Sequence, residues 1–210
     1  MQPYLIGILA GYCLGSIPSA YLIVRKRSGV DIRNAGSGNV GSFNTFVVTK
    51  STGTAIVVGV LDALKGLAAV LGATLIWHEF WPVGATLAGA ILGHIFPFWL
   101  RFRGGRGLAT GCGGLFGLGL SYTIVWCVTW ALVKATRRSI LTSNIVALVV
   151  APVVLWLVPD SWIASVSWSS GTAADFRIFG TVLSGVLMIG HRSVFLGTPE
   201  PAPPSQGVNQ

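Results

Sequence analysis

The chain has 210 residues, of which 52% are hydrophobic and 10% are charged, and its formal net charge is +8. Soluble domains carry about 25% charged residues, so this composition excludes an ordinary water-soluble fold and indicates helices that lie in a bilayer. Most Lys and Arg residues lie between apolar segments, which is typical of the cytoplasmic loops of membrane proteins and does not indicate a nucleic-acid partner.

Apolar runs and basic loops alternate along the chain and predict its topology. The predicted membrane segments are residues 3–24, 53–77, 83–100, 108–133, 140–158 and 178–190. Lys and Arg cluster at 25–50, 101–106 and 134–138, whereas the connections at 78–82 and 159–176 contain none. Basic loops stay in the cytoplasm, so we expect the N-terminus outside and the C-terminus inside the cell.

The segment 108–133 has basic clusters at both ends and must therefore cross the membrane an even number of times. A full span needs about 20 residues, so its 26 residues predict a short or re-entrant helical hairpin. We predict an all-α polytopic bundle over residues 1–197, with about seven transmembrane helices, or five full spans if the hairpin is re-entrant. The proline-rich residues 198–210 predict a disordered cytoplasmic tail.

A glycine-rich segment, GSGNVGSFN at 36–44, follows the first apolar run. Its glycines allow backbone N–H groups to approach an anion closely. Ser37, Asn39 and Asn44 add polar side chains, and a helix that begins after the segment would favour phosphate binding. The segment lacks the Walker A pattern, so a flexible linker is the competing interpretation.

A second segment, GHIFPFWLRFRGGRGLAT at 93–110, joins two apolar runs. Arg106 can donate two parallel hydrogen bonds to a phosphate, and the amides of Gly104 and Gly105 can line the same pocket. Thr110 lies one turn further along the next helix. This segment therefore predicts an anion site at the cytoplasmic face.

Ionisable residues also lie within or at the ends of the apolar runs. Asp62 and Lys65 share one helix face at the i, i+3 spacing, and such groups usually face the protein interior in a membrane. A structural ion pair is the favoured interpretation, although Lys65 can still reach a cytoplasmic anion. A structural role is also favoured for His94, whereas Ser143 and His191 lie near helix ends on the side of the basic loops.

The segments together resemble the bacterial acyl-phosphate:glycerol-3-phosphate acyltransferases of the PlsY type. GSGNVGSFN resembles the family's GSGNxGxTN loop, LDALKG resembles LDxxKG, and the second segment resembles GHxxPxFxxFxGGKGxAT. The resemblance extends over residues 5–196. It implies an enzyme of phospholipid synthesis that moves a fatty acyl group from acyl phosphate to glycerol 3-phosphate, giving 1-acyl-glycerol 3-phosphate and phosphate.

The resemblance further implies a multi-pass protein of the bacterial inner membrane whose active site faces the cytoplasm. It implies neither metal nor other cofactor, and its partners would be membrane lipids and the enzyme that makes acyl phosphate. From the motifs and the resemblance, the candidate catalytic residues are Arg106, His191 and Ser143. The candidate phosphate-binding residues are Ser37, Gly38, Asn39, Gly41, Asn44, Gly104, Gly105 and Lys65, with Asp62, His94 and Thr110 as supporting residues.

The chain departs from the family pattern mainly on the acceptor side. Arg106 replaces the family's Lys, Val47 replaces an Arg, and Phe43 replaces a Thr. The final family motif, RHxxNI, reads GHRSVF at 190–195, so only the histidine keeps its place. The cations that could replace the lost Arg are Lys50, Lys65 and Arg192.

Two alternatives remain open from the sequence. A diverged family member would use another acceptor or catalyse no transfer, as the changed acceptor motifs allow. A small transporter would use Asp62, Lys65 and the 108–133 hairpin as a site near the middle of the membrane.

Overall fold

The structure is a computed structural model that describes residues 1–195. Its helices are α1 Gln2–Gly15, α2 Ser19–Ser28, α3 Ser42–Thr49, α4 Thr52–Thr74, α5 Phe80–Ile95, α6 Leu108–Leu118, α7 Ser121–Ala135, α8 Ile140–Leu157, α9 Asp160–Ser165, α10 Ala173–Gly190 and α11 Arg192–Phe195. Short 3₁₀ helices cover Ile32–Asn34 and Phe98–Leu100. The prediction of an all-helical bundle is confirmed.

Within residues 1–195, five stretches are long and apolar enough to cross a membrane: Gln2–Ser28, Thr52–Thr74, Phe80–Leu100, Ile140–Leu157 and Ala173–Gly190. Helices α6 and α7 are shorter than a full span. The number of crossings and the orientation of the termini stay predictions, and the predicted tail at 198–210 lies outside the described residues.

The first apolar run is not one continuous helix, which differs from the prediction for residues 3–24. Helix α1 ends at Gly15, and α2 begins at Ser19 after Pro18. Proline has no backbone N–H to continue a helical ladder. Nζ of Lys65 in α4 donates to the carbonyl of Ile17 at 3.1 Å. A charged side chain therefore binds the backbone at the break.

Glycines allow α1 and α5 to pack backbone against backbone. A Cβ added at Gly11 would collide with the carbonyl of Thr86, and one added at Gly89 would collide with the carbonyl of Ile8. Small residues permit this close approach in membrane bundles, where packing replaces the hydrophobic effect. On the other side of α5, the main buried core includes Phe80, Leu87, Ile91, Phe176, Phe179 and Leu183.

Helices α6 and α7 form the predicted hairpin, with its turn at Gly119 and Leu120. The amide of Leu120 donates to the carbonyl of Val166 at 2.8 Å, and Gly119 forms an isolated bridge with Ser167. Helix α6 packs tightly on α4 at Gly113, where a Cβ would collide with the carbonyl of Ala63. The hairpin turn therefore contacts the segment between α9 and α10, at the end of the bundle away from the GGRG loop.

Candidate active site

Asn44 organises the first glycine-rich loop. It lies in the first turn of α3 and is completely buried. Its Nδ2 donates to the carbonyls of Ala35 and Asn39 at 3.0 and 2.9 Å, and its Oδ1 accepts from the amide of Ser37 at 2.9 Å. These bonds occupy the side chain within the loop. The phosphate-binding role of Asn44 stays a prediction, and its hydrogen bonds hold the loop in shape.

Glycine is needed at two turns of this loop. Gly36 and Gly38 have φ values of 57° and 70°, where a side chain is strained. A Cβ on Gly36 would also collide with Oδ1 of Asn44. The amide of Gly38 donates to the carbonyl of Ala35 at 3.1 Å. The amides of Ser37 and Gly38 thus bond within the loop and shape it.

The second loop folds back on the end of α5. The amide of Gly104 donates to the carbonyl of Ile95 at 3.1 Å, and the amide of Gly105 donates to that of His94 at 3.0 Å. A Cβ on Gly105 would collide with Nε2 of His94 and would lie 2.7 Å from the carbonyl of Val40. Both amides therefore have acceptors within the protein. They fix the loop against α5, and the glycines permit the close packing.

The two loops also bond to each other. The amide of Val40 donates to the carbonyl of Gly104 at 3.3 Å. Gly41, which caps α3, accepts from both the amide and the hydroxyl of Thr45 at 2.9 and 3.0 Å. Segments more than 60 residues apart in the sequence are thus held as one unit.

A buried charged cluster underlies this unit. Nζ of Lys65 lies 3.0 Å from Oδ1 of Asp62, and Nδ1 of His94 lies 3.7 Å from the same oxygen. All three side chains are at most 7% exposed. They line a small cavity with Val40 and Gly104 of the two loops. Because Lys65 also binds Ile17, the cluster connects α4, α5 and the break between α1 and α2. The favoured interpretation of Lys65 as one half of a structural ion pair agrees with these contacts.

Arg106 lies between this unit and the end of α10. It is partly exposed and directly precedes Gly107, the N-cap of α6, whose φ is 84°. A Cβ on Gly190 would lie 2.6 Å from the carbonyl of Arg106, so the end of α10 packs on this residue. Thr110 follows within the first turn of α6 and is buried.

His191 is completely buried next to Arg106. Its Nδ1 lies 2.9 Å from the carbonyl of Leu187, and its Nε2 lies 3.5 Å from Nδ2 of Asn144. A proton on Nδ1 satisfies both contacts, because Nε2 can then accept from the amide. Burial lowers the pKa of His191 to about 4, the bond to Leu187 opposes this shift, and the charge of Arg106 adds to it. The imidazole is therefore neutral at neutral pH.

Asn144 was not among the predicted site residues, although it stands beside Ser143 in the sequence. Its Oδ1 accepts from Nε1 of Trp130 at 2.9 Å, which turns its amide nitrogen towards His191. Ser143 is buried and donates to the carbonyl of Ser139 at 3.0 Å. Asn144 carries a polar amide within an apolar run, and this pattern could have marked it as a candidate site residue. The structure places Asn144 in contact with His191, and Ser143 is one residue away.

The cations proposed to replace the family's Arg differ in their surroundings. Val47 itself packs against Gly36, whose Cβ would lie 3.2 Å from Cγ1 of the valine. Lys65 belongs to the buried cluster, and the guanidinium of Arg192 lies 4.8 Å from the ring centroid of Phe96. Lys50 is exposed at the end of α3. Lys50 and Arg192 thus lie in exposed positions, whereas Lys65 is buried.

The bundle of apolar helices and the polar loops that meet at one end define a polytopic membrane protein with a candidate site at that end. Comparison with known proteins gives the family. The family profile described as Glycerol-3-phosphate acyltransferase matches residues 5–196. The chain belongs to this family of membrane acyltransferases, which confirms the resemblance found in its motifs.

Curated relatives and solved structures agree with this assignment. Proteins named glycerol-3-phosphate acyltransferase include one from Nitrobacter winogradskyi, 42% identical over 72% of this chain and 76% of the relative. Another, from Mesorhizobium japonicum, is 35% identical over 90% of this chain and 89% of the relative. The crystal structure of PlsY (YgiH), an integral membrane glycerol 3-phosphate acyltransferase in its glycerol 3-phosphate form, matches with a TM-score of 0.73. It is 27% identical over 92% of each chain. Its lysophosphatidic acid form matches with a TM-score of 0.71 at 26% identity.

Proposed function

We propose that the chain transfers a fatty acyl group from acyl phosphate to glycerol 3-phosphate, giving 1-acyl-glycerol 3-phosphate and inorganic phosphate. The observation that carries this proposal is the position of Arg106. It lies at the N-terminus of α6, beside the buried neutral His191 and next to two glycine loops that hydrogen bonds join into one unit. The family to which the chain belongs supports the same reaction.

The donor phosphate is proposed to bind Arg106 and the first turn of α6. The first N–H groups of a helix have no intrahelical acceptor, and the helix dipole favours an anion at this end. Arg106 adds a fixed pair of N–H donors. Ser37 and Asn39 would contribute their side chains, because the amides of Ser37 and Gly38 already bond within the loop. Gly41, Asn44, Gly104 and Gly105 are proposed to set the positions of these donors.

Because acyl phosphate is already activated, the protein mainly has to orient the two substrates and stabilise the charge that develops during transfer. The acceptor hydroxyl oxygen attacks the carbonyl carbon, and the bond from that carbon to the phosphate oxygen breaks. The hydroxyl proton passes to the departing phosphate, which acts as the base. Arg106 stabilises the charge that develops on that phosphate, and the joined loops hold the reacting groups in line.

His191 is proposed to act on Arg106 rather than on substrate. Both of its ring nitrogens have protein partners and its side chain is completely buried. A neutral imidazole next to Arg106 avoids the repulsion that an imidazolium would cause. Ser143 and Asn144 then support His191 from α8.

A different acceptor is the second candidate function, and Val47 favours it. An apolar side chain packs against the first loop where the family has an Arg. If glycerol 3-phosphate is the acceptor, Lys50 is the exposed cation nearest along the chain that could bind its phosphate.

We propose a bacterial inner-membrane location, with the loop-bearing end in the cytoplasm and about seven crossings. The contact between the α6–α7 turn and residues 166–169 supports two crossings for this hairpin, because the turn contacts the segment that joins α9 to α10. A partner that makes acyl phosphate would deliver the donor to the same face.

The test is release of phosphate from palmitoyl phosphate by the purified protein in detergent. Release should require glycerol 3-phosphate and should be accompanied by its acylation. Arg106→Lys should retain part of the activity because the charge remains, and Val47→Arg should lower KM for glycerol 3-phosphate. Transfer to another alcohol, and none to glycerol 3-phosphate, would favour the second candidate. A folded protein that acylates no acceptor would contradict both.

A further inference from the structure

Residues 97–103, which form the aromatic-basic segment, join α5 to the GGRG loop and expose large rings together with arginines. Trp99 and Phe102 are 63% and 58% exposed, and Arg101 and Arg103 are exposed as well. Within residues 1–195, the guanidinium groups of Arg101 and Arg103 have no hydrogen-bond or ion-pair partner. Arg177, by contrast, donates to two backbone carbonyls. The segment therefore presents two unpaired cations beside two exposed rings.

The backbone of this segment is held in an unfavourable conformation. Arg101 and Phe102 have φ values of 54° and 61°, in the left-handed region that costs a non-glycine residue free energy. The amide of Phe102 donates to the carbonyl of Pro97 at 3.0 Å, and the amide of Arg103 donates to that of Leu100 at 3.3 Å. These bonds close the segment into a compact turn. Strain of this kind is concentrated at functional sites, and here it is located at the exposed arginine and ring.

The aromatic-basic segment lies where an apolar span ends. The stretch Phe80–Leu100 is long and apolar enough to cross a membrane, and the segment includes its last residues. Tryptophan is enriched at the boundary between membrane and water, because its ring is apolar and its N–H is polar. Arginine binds lipid phosphates at the same depth. A general preference of these residue types for the boundary explains their presence but does not explain the strained turn that carries them.

We propose that the aromatic-basic segment is a binding site for anionic phospholipid of the surrounding bilayer. The guanidinium groups of Arg101 and Arg103 bind the headgroup phosphate, and the rings of Trp99 and Phe102 contact the adjoining part of the acyl chains. Charge complementarity favours this occupant, because two unpaired cations attract an anion. The exposed rings favour a lipid over a free phosphate, which has no apolar part to cover them.

The site bears on the second loop, because the segment and that loop share close contacts. Gly104 follows Arg103 directly, and a Cβ on Gly104 would collide with Cδ of Pro97. The carbonyl of Gly104 accepts from the amide of Val40, and Arg106 lies two residues further on. A bound lipid would thus hold the second loop in place. This consequence rests on the proposed function, whereas the lipid site itself does not.

Lipid binding is measured without substrates. The purified protein in a nonionic detergent is titrated with phosphatidylglycerol or phosphatidylcholine, and bound lipid is counted by native mass spectrometry. Phosphatidylglycerol should bind more tightly. The double variant Arg101→Gln/Arg103→Gln should raise its Kd about thirtyfold, since each basic side chain near an anionic lipid contributes about fivefold.

A second pair of arginines provides the matched control. Arg137→Gln/Arg138→Gln removes the same charge from the exposed connection between α7 and α8 and should leave the Kd for phosphatidylglycerol nearly unchanged. An equal rise in Kd in both double variants would indicate general attraction to the basic face and would overturn the inference. An unchanged Kd in Arg101→Gln/Arg103→Gln would also overturn it.

The rings are tested in the same titration. Trp99→Ala should raise the Kd for phosphatidylglycerol about tenfold, because an apolar contact with the acyl chains is lost. Trp156→Ala removes a ring of similar exposure, 55%, from α8 and should leave the Kd unchanged. An excess of inorganic phosphate should not displace the lipid. Displacement by phosphate, together with an unchanged Kd in Trp99→Ala, would assign the arginines to a free anion and contradict the inference.

The effect on the second loop is tested in nanodiscs of phosphatidylcholine alone or with an equal amount of phosphatidylglycerol. Transfer from palmitoyl phosphate to glycerol 3-phosphate should be faster in the mixed bilayer, and Arg101→Gln/Arg103→Gln should lose this increase. Equal rates in both bilayers, in a protein that binds phosphatidylglycerol, would contradict the effect on the loop. Specific lipid binding without any transfer would support the lipid site while the proposed function failed.

Discussion

The two ends of the bundle use polar groups in different ways. At the closed end, which comprises residues 78–81 and 155–177, side chains pair with each other or with helix ends. Thr172 and Asp175 form a capping box, and Nε1 of Trp81 donates to Asp175 at 2.8 Å. Arg177 donates to the carbonyls of Leu155 and Val158. Such contacts stabilise helix ends.

At the loop end, which comprises residues 31–44, 94–107 and 191, side chains such as Asn44 also pair with backbone groups, but glycines and strained backbone are added to that pairing. Gly36, Gly38 and Gly107 have positive φ. Arg101 and Phe102, with φ of 54° and 61°, adopt a conformation that costs a non-glycine residue free energy. The comparison indicates that the closed end serves stability and the loop end serves geometry, and matched substitutions at the two ends can separate these roles.

The largest difference is expected for arginines. Arg106→Ala should lower kcat/KM by about a thousandfold, as loss of a charged donor at a developing anion does. Arg177→Ala should instead leave the activity per folded molecule near its original value and lower the thermal midpoint, because two helix-end carbonyls lose their donor. Steady-state kinetics and thermal unfolding in detergent measure the two effects. Equal loss of activity in both variants would contradict the division of roles.

Substitution of a histidine at each end should affect the pH dependence of stability differently. The unfolded chain binds a proton at His191 near its ordinary pKa of 6.5, but the folded chain binds one only near a pKa of about 4. The stability that His191 contributes is therefore complete above about pH 6.5 and is lost as the pH falls towards 4. The effect is on the order of 3 kcal/mol.

Thermal midpoints measured between pH 7 and 5 test this prediction. His191→Gln should reduce the fall in thermal midpoint between pH 7 and 5. His78→Gln, which removes an exposed histidine at the closed end, should leave that fall unchanged. A His191→Gln variant with the original pH dependence would show that burial of this imidazole does not govern acid stability.

Substitution of a glycine at each end should give a smaller difference in activity between the two ends. Gly105→Ala places a methyl group against His94 and Val40 and should displace the second loop, with a loss of about a hundredfold in kcat/KM. Gly171→Ala crowds the ring of Phe80 at the closed end and should cost stability alone. Kinetics on the folded fraction of each variant provides the measurement, and activity of Gly105→Ala close to the original would mean that loop position is not critical.

The smallest contrast concerns two polar side chains that organise local backbone. Asn44→Ala removes bonds to both sides of the first loop and should cost about 2 kcal/mol, together with a higher KM for palmitoyl phosphate. Thr172→Ala removes a helix cap and should cost about 1 kcal/mol without changing KM. Thermal unfolding and initial rates measure both. An unchanged KM in Asn44→Ala would show that the loop keeps its shape without this amide.

Much of the fold follows from local pattern. The bounds of α4 and α8 agree closely with predicted apolar runs, and those of α10 agree approximately. A segment in lipid must satisfy its backbone hydrogen bonds within a helix. The break between α1 and α2 was not predicted, although the sequence has Pro18 at this position. The apolar run continues through it, and the side chain that binds the broken backbone, Lys65, comes from α4.

For the candidate site, the sequence by itself determined which residue types meet at one end: two glycine-rich segments, Arg106, a charged pair and a histidine. Spacing along the chain carries that information, as does the membership of the family. Only the tertiary structure decided how each group is used. The amides predicted to face a phosphate donate to Ala35, Ile95 and His94, and Asn144 rather than a hydroxyl contacts His191. A hydrogen-bonding group has the same identity in the sequence whether its partner is protein or ligand, and the partner is set by packing between elements far apart in the chain.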